Sequence, residues 1–249
     1  ALVVISHGLG ATAETYLPQT MWFVDQGYSV FTYDATGTGA SQGKTTVGLS
    51  QSVLDLDAAL NCVEEDSALS GLPLLLFGHS WGGYAAAEIL AYDHDVTASV
   101  SLSGYAVPMK MMCETASDYC GPAAYLGAPF VLLHQWVLFG SAANGSAVDA
   151  VNGCAVPILI VQGLADTTVR PDGAALSAQR EKLTNPKVEI LLLEGEDHMS
   201  LLRPHTQEYT DYVAQINRDY AALYDTYGGE IPQDVRAEFH AGVDKSITG

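Results

Sequence analysis

The chain has 249 residues, of which 48% are hydrophobic and 16% charged, a composition that excludes an intrinsically disordered protein. Acidic side chains outnumber basic ones by 29 to 10, and the net charge of -19 disfavours nucleic acid and anionic lipid surfaces as partners. No apolar run in the sequence reaches the roughly 18 residues that cross a bilayer, so we expect no membrane span.

Apolar segments of strand length alternate with helical patterns along most of the chain. Strands are predicted at 2–5, 28–33, 73–77, 96–102, 156–161 and 188–193. Helices are predicted at 15–26, 50–65, 83–91, 172–183 and 204–227. Unbroken apolar strands separated by amphipathic helices predict an α/β fold, with a doubly wound, mostly parallel sheet covered on both faces.

The alternation stops between residues 104 and 154, a stretch rich in Met, Tyr and Pro. It follows a strand, so we expect this cap segment to be a small, mainly helical insertion over the carboxyl ends of the strands. The predicted organisation is one domain over residues 1–249 that contains this insertion.

A nucleophile motif follows the strand at 73–77. Residues 78–83 read Gly-His-Ser-Trp-Gly-Gly, a G-x-S-x-G pattern between a strand and an Ala-rich helix. Such a turn strains the serine backbone, and its glycines avoid collisions with neighbouring backbone. The pattern predicts Ser80 as a nucleophile; the alternative is a structural turn.

A serine hydroxyl needs a base to accept its proton and a carboxylate to orient that base. Asp166 follows the strand at 156–161, and His198 follows the strand at 188–193. Parallel strands bring both side chains to the sheet edge that carries Ser80. Asp197 is a rival carboxylate, but consecutive side chains rarely face each other, so we favour Asp166.

The oxyanion of a tetrahedral intermediate needs preorganised donors. The backbone N–H of Trp81, directly after the nucleophile, is one candidate. The loop His-Gly-Leu-Gly at 7–10 follows the first strand and offers the other candidate, the N–H of Leu9. The alternative for this loop is an ordinary glycine turn.

These motifs resemble those of the α/β-hydrolase family over nearly the whole chain. The matching parts are the 7–10 loop, the 33–41 loop with Asp34 and Gly-x-Gly-x-Ser, the elbow at 78–83, Gly163 to Asp166, and Asp197-His198. The 33–41 loop is similar to that of single-domain esterases, monoglyceride lipases and serine aminopeptidases. The resemblance implies an eight-stranded sheet with the cap segment after the sixth family strand, so two antiparallel strands are expected to precede Ala1.

The predicted reaction is hydrolysis of a carboxylic ester through an acyl-enzyme on Ser80, as in carboxylesterases. The apolar cap segment favours an apolar acyl or aryl group. Candidate pocket residues are Tyr105, Met109, Met112 and Trp136, and packing of the cap segment is the other explanation for them. A peptide or amide substrate is the alternative, and a non-catalytic binding protein of this fold is a second one.

No cofactor and no metal is expected. Five residues separate Gly37 from Gly-Lys-Thr at 43–45 and three separate Gly39 from it, whereas a phosphate-binding loop requires four residues in between. Asp93-His94-Asp95 is interpreted as an acidic turn rather than a metal site. The oligomeric state is left open.

The four cysteines, at 62, 113, 120 and 154, match no zinc or redox spacing. A local disulfide between Cys113 and Cys120 and a pair of free thiols are both open interpretations. A disulfide would favour a secreted or cell-surface protein. Cys62 and Cys154 are predicted to be buried thiols.

Overall fold

The computed structural model describes residues 1–204, 206–244 and 247. Contacts divide the chain into two compact units, Ala1–Leu201 and Leu202–Gly249. The first unit contains the sheet and all the predicted site residues. The second contains the helices α7 (Gln207–Thr226) and α8 (Gln233–Ala241). Residue 205, near the predicted start of the last long helix, lies outside the described residues.

Six parallel strands form one sheet in the order β2-β1-β3-β4-β5-β6. The strands are β1 (Leu2–Ser6), β2 (Ser29–Thr32), β3 (Leu74–His79), β4 (Val96–Leu102), β5 (Ile158–Gly163) and β6 (Val188–Leu193). Each lies where the apolar runs predicted a strand. The prediction of a parallel α/β sheet is therefore confirmed.

Six helices accompany the sheet in the described part of the first unit. They are α1 (Leu17–Asp25), α2 (Gln51–Glu65), α3 (Trp81–Glu88), α4 (Pro108–Cys120), α5 (Ala124–Phe139) and α6 (Ala147–Asn152). Helices cover both sheet faces because alternate strand residues point to opposite sides. Leu76 lies in the core with α2 and α3, whereas the ring of Phe77 meets Phe23 of α1 at 5.6 Å between centroids.

The predicted helix at 172–183 is wrong. Only a 3₁₀ helix, Leu176–Lys182, forms there. The preceding backbone pairs with the start of the cap segment instead: Ala106 N–H donates to the Ala174 carbonyl, and Leu176 N–H donates to the Gly104 carbonyl. These long-range hydrogen bonds take up backbone groups that a helix would have used.

The strand order places a crevice at one edge of the sheet. β2 and β3 flank β1 on opposite sides, so the connections after β1 and β3 leave the sheet in different directions. Ligands of open parallel sheets bind at such a switch point, outside the carboxyl ends of the strands. Ser6 and Gly78 are register partners there, which places the 7–10 loop beside the elbow.

The cap segment is helical, and charged contacts hold α4 against residues 170–174. Glu114 is buried, accepts the N–H of Ala174 at 2.8 Å and lies 3.6 Å from the Arg170 guanidinium. Arg170 also pairs with Asp118 at 3.1 Å. Lys110 donates to the Gly173 carbonyl at 2.7 Å. One end of the cap segment is therefore fixed by side chains that lie outside the reaction centre.

Helix α5 exposes large apolar side chains. Residues 119–148 contain no Asp, Glu, Lys or Arg, and Leu126, Phe130 and Val137 are each more than three-quarters exposed. Within the described residues, the helical stretch Pro108–Asn152 is long and apolar enough to cross a membrane, and its apolar window is 17% buried. This runs against the expectation from run length alone, although one such stretch is weak support for a span.

The structure describes all four cysteines as free thiols. Cys113 and Cys120 lie on the same helix, α4, where seven residues of rise separate them by about 10 Å, too far for a disulfide. The support for a secreted or cell-surface location is thereby removed. The prediction of a buried Cys62 is wrong, since it is exposed on α2; Cys154 is half-buried and Cys113 is buried.

Candidate active site

Ser80 stands at a strained turn between β3 and α3. Its φ of 58° and ψ of -113° lie in a region that residues with a side chain rarely adopt. Glycine is required on both sides. A Cβ on Gly82 would lie 1.9 Å from the Ser6 carbonyl oxygen, and one on Gly78 would lie 2.0 Å from the carbonyl oxygen of Gly82. The turn therefore presents the Ser80 hydroxyl at the crevice.

The structure brings together three side chains from three separate loops. The His198 Nε2 lies 2.9 Å from the Ser80 Oγ, and its Nδ1 lies 2.8 Å from Asp166 Oδ2. A carboxylate only accepts, so Nδ1 carries a proton and donates it. In a neutral ring Nε2 is then the acceptor for the Ser80 hydroxyl. This is the geometry in which a histidine can take a proton from serine.

Asp166 is held by its own loop and by β5. It is buried, and its Oδ1 accepts the N–H groups of Thr168 and Val169, each at 2.9 Å. The Gln162 amide donates to Oδ2 at 3.0 Å. Burial opposes ionisation, but the hydrogen bond and charge of His198 and the two backbone donors outweigh it, so the pKa of Asp166 lies below its ordinary value.

The rival carboxylate, Asp197, is used locally. Its Oδ1 accepts the N–H of Met199 at 2.8 Å and that of Ser200 at 2.7 Å. These bonds stabilise the turn that carries His198. The carboxylate that meets the imidazole is that of Asp166.

Leu9 and Trp81 line the same cavity as Ser80. In the described residues, the N–H groups of Leu9 and Trp81 donate to no acceptor within the protein. The neighbouring N–H of Gly8 is occupied, because it donates to the Tyr16 hydroxyl at 2.9 Å. The role of Leu9 and Trp81 as oxyanion donors stays a prediction.

His7 has a structural part in this loop. Its Nδ1 donates to the Gly8 carbonyl at 2.8 Å, and its Nε2 accepts the N–H of Ala35 at 2.9 Å. The carboxylate of Asp34 accepts the N–H groups of Ala13 and Ala40, which lower its pKa. Both residues hold neighbouring loops together, and neither is hydrogen-bonded to Ser80 in the described structure.

A cavity of about 960 Å³ opens over Ser80. Its wall comes from the 8–11 loop, the 45–49 loop, α4 and the turns that carry Thr168 and His198. Among the described residues, this wall contains no Asp, Glu, Lys or Arg. Its titratable side chains are those of two histidines and two tyrosines. The described wall is therefore mostly apolar and, apart from its histidines, carries no charged group.

Two of the four predicted pocket residues line this cavity. Tyr105 and Met112 do, whereas Met109 and Trp136 do not. Met109 lies before the part of α4 that reaches the cavity, and Trp136 is half-exposed on α5. Several other lining residues were not predicted from the sequence, namely Tyr16, Val47, Thr115, Ala116 and Val169.

Residues 1–124 match the family described as serine aminopeptidase, S33. The uncharacterized protein YfhR of Escherichia coli O157:H7 is 32% identical over 230 residues, which cover 88% of this chain and 68% of YfhR. The chain belongs to the α/β-hydrolase family. Another relative, the putative carbamate hydrolase RutD of Variovorax paradoxus (strain S110), is 30% identical over 140 residues, or 53% of this chain.

The present α/β-hydrolase spans about half of RutD, 51%, and about two-thirds of YfhR. Among solved structures, the Pyrococcus furiosus esterase Pf2001 superposes with a TM-score of 0.60 at 22% identity, covering 79% of this chain and 74% of the esterase. That likeness shows the shared fold. RutD is named a putative carbamate hydrolase, and Pf2001 is named an esterase.

Proposed function

We propose that this α/β-hydrolase cleaves carboxylic esters with an apolar acyl or aryl group, through an acyl-enzyme on Ser80. The observation that carries the proposal is the pair of hydrogen bonds at His198, 2.9 Å to Ser80 and 2.8 Å to Asp166. Together they supply an activated hydroxyl, a base of defined tautomer and an orienting carboxylate.

In the proposed reaction, Ser80 Oγ attacks the ester carbonyl while its proton passes to Nε2 of His198. The N–H groups of Leu9 and Trp81 stabilise the oxyanion. His198 then gives the proton to the departing alkoxide, which leaves as an alcohol. A water molecule, deprotonated by His198, attacks the acyl-Ser80 carbonyl to form a second tetrahedral intermediate. This intermediate breaks the bond to Ser80 Oγ, which takes the proton back from His198, and the carboxylic acid is released.

The cavity favours an ester over an aminopeptidase substrate. An aminopeptidase has to bind a free α-ammonium, for which a carboxylate is the usual partner. The described cavity wall offers Thr, Met and Tyr side chains but no carboxylate. An uncharged amide or carbamate is the second candidate, because it fits the same wall and the relative RutD is named a putative carbamate hydrolase.

A fluorophosphonate probe tests the nucleophile. We expect it to label the wild-type protein at Ser80, and the Ser80→Ala variant to lose both labelling and hydrolysis of p-nitrophenyl butyrate. Ser67→Ala changes an exposed turn serine and serves as the matched control that retains both. Full turnover by Ser80→Ala would refute the proposed function.

A substrate comparison tests the class. We expect kcat/KM for p-nitrophenyl butyrate to exceed that for leucine p-nitroanilide by at least about 100-fold, which corresponds to about 2.7 kcal/mol of transition-state stabilisation. A phenyl carbamate is compared in the same assay, and a higher kcat/KM for it than for the ester would favour the second candidate, an amide or carbamate substrate. Preference for the anilide would contradict the ester assignment while leaving Ser80 as nucleophile.

A further inference from the structure

The elbow histidine, His79, is bonded to two other loops of the site. It is 2% exposed, so both ring nitrogens are shielded from bulk solvent. Its Nδ1 lies 2.6 Å from the Tyr16 hydroxyl, and its Nε2 lies 2.9 Å from the backbone carbonyl oxygen of His198. The acyl-transfer steps above use neither His79 nor Tyr16.

The partners of His79 decide where its proton lies. A carbonyl oxygen can only accept, so Nε2 carries the proton and donates it to His198. The Tyr16 oxygen already accepts the N–H of Gly8 at 2.9 Å, which leaves its own proton for Nδ1 of His79. The result is one directed chain of hydrogen bonds from Gly8 through Tyr16 and His79 to the backbone of His198.

The surroundings keep both side chains neutral around pH 7. Burial lowers the pKa of His79 to about 4, although the carbonyl hydrogen bond and Asp166 act in the opposite direction. The ring of His198, 4.9 Å away between centroids, also lowers the pKa of His79, because two imidazolium charges would repel. Burial raises the pKa of Tyr16 to about 12. The direction of the chain is therefore fixed.

We propose that His79 and Tyr16 are positioning residues for the base and the oxyanion loop, an inference that rests on the proposed function. The ring Nε2–H of His79 fixes the backbone of His198, so that the His198 ring stays within hydrogen-bond distance of Ser80. Tyr16 sets the tautomer of His79 and holds the Gly8 amide. That contact occupies the N–H of Gly8, whereas the N–H of the next residue, Leu9, donates to no acceptor in the described structure.

Two substitutions at position 79 separate positioning from packing. Glutamine places an amide N–H near the location of Nε2, whereas leucine fills space without a donor. We expect His79→Leu to lower kcat for p-nitrophenyl butyrate about 10- to 100-fold, since a displacement of about 1 Å of a catalytic group has an effect of that size. KM should stay within about 2-fold, and His79→Gln should recover most of the loss.

Tyr16→Phe removes one hydroxyl and tests the other half of the chain. We expect kcat to fall about 3- to 10-fold, less than for His79→Leu because the N–H of His79 can still reach His198. Tyr84→Phe is the matched control. Tyr84 is also fully buried, and its hydroxyl has no hydrogen-bond partner in the described structure, so its loss should leave kcat unchanged.

The readouts distinguish this inference from the proposed function. Titration with the fluorophosphonate counts competent sites, so kcat per titrated site is unaffected by a variant that merely folds less often. The ¹⁵N shifts of the His79 ring report its tautomer without any substrate, and we expect the Nε2–H form at pH 7. If the wild-type protein neither reacts with the probe nor hydrolyses esters, the proposed function fails on its own.

Two results would overturn the positioning roles: a wild-type kcat per site in His79→Leu, or an Nδ1–H ring in the wild-type spectrum. Should His79→Leu fail to fold, Tyr16→Phe and the ring spectrum still decide. In Tyr16→Phe we expect the Nδ1 shift of His79 to change, because Nδ1 loses its hydrogen-bond donor, and an unchanged Nδ1 shift would remove Tyr16 from the chain.

Discussion

Replacement of Glu88 by glutamine should stabilise the protein in a way that depends on pH. Glu88 ends α3 and is 8% exposed, and its Oε2 has no hydrogen-bond partner in the described structure. Burial raises the pKa of Glu88 from 4.5 to about 7, and the charge of Asp149 adds to this, while the N–H of Ser146 opposes it. In the folded protein the Glu88 carboxyl group therefore stays protonated at pH values where it is already ionised in the unfolded chain.

The sign and size of the change in the free energy of unfolding follow from the protons bound in each state. Between pH 4.5 and about 7 the folded state binds more protons than the unfolded state, so stability falls as pH rises through this range. The whole shift corresponds to about 3 kcal/mol at pH 8, at 1.36 kcal/mol for each pKa unit. Glutamine has nearly the same shape and cannot ionise. We expect Glu88→Gln to gain about 1–3 kcal/mol at pH 8 and almost nothing at pH 4.5.

Urea unfolding followed by tryptophan fluorescence at pH 4.5, 6 and 8 measures this difference. Glu65→Gln, at the exposed end of α2, is the control for loss of one negative charge from a protein of net charge -19. A gain for Glu88→Gln that is the same at all three pH values, or no gain over Glu65→Gln at pH 8, would refute the reasoning. Either outcome would mean that Glu88 ionises equally in both states.

Two further substitutions and one thiol titration test the catalytic carboxylate, the elbow glycine and the cysteines. Asp166→Asn should lower kcat about 10³- to 10⁴-fold with little change in KM, measured with p-nitrophenyl butyrate, because it removes the charge that orients His198; a loss below 10-fold would contradict that role. Gly82→Ala should destabilise the fold by about 1–3 kcal/mol, since its Cβ would overlap the Ser6 carbonyl, whereas Gly71→Ala, with open space around it, should unfold in urea like the wild type. Thiol titration of the unreduced, denatured protein should count four cysteines, and a count of two would show a disulfide.

The sequence predicted the sheet and the three central side chains because both depend on local patterns. Each of Ser80, Asp166 and His198 follows an apolar strand, and parallel strands must bring such positions to one edge. The helical repeat of α2 also accounts for the exposure of Cys62. Val53, Leu56, Leu60 and Val63 form its buried stripe, and Cys62 falls off that stripe, so its exposure follows from the same period.

Other features depend on contacts between distant segments. Ala174 and Leu176 bond to the start of the cap segment, which no pattern within 172–183 discloses. Tyr16 reaches His79 across 63 positions of sequence, and only the fold brings them within 2.6 Å. Trp136 looked like a pocket residue from its aromatic character alone, but the rotation of α5 leaves it half-exposed and away from the cavity wall.

The attachment of α4 has a consequence for how substrate preference can change. Its anchors, Glu114 and Lys110, bond to residues 170–174, and in the described structure neither bonds to Ser80, Asp166 or His198. The part of the cavity wall that α4 forms is thus attached independently of Ser80, Asp166 and His198, which lie at the edge of the sheet. We expect a chimera that takes residues 108–152 from a relative, and keeps the contacts to residues 170–174, to show the substrate preference of that relative. It should still react through the Ser80, Asp166 and His198 of the recipient.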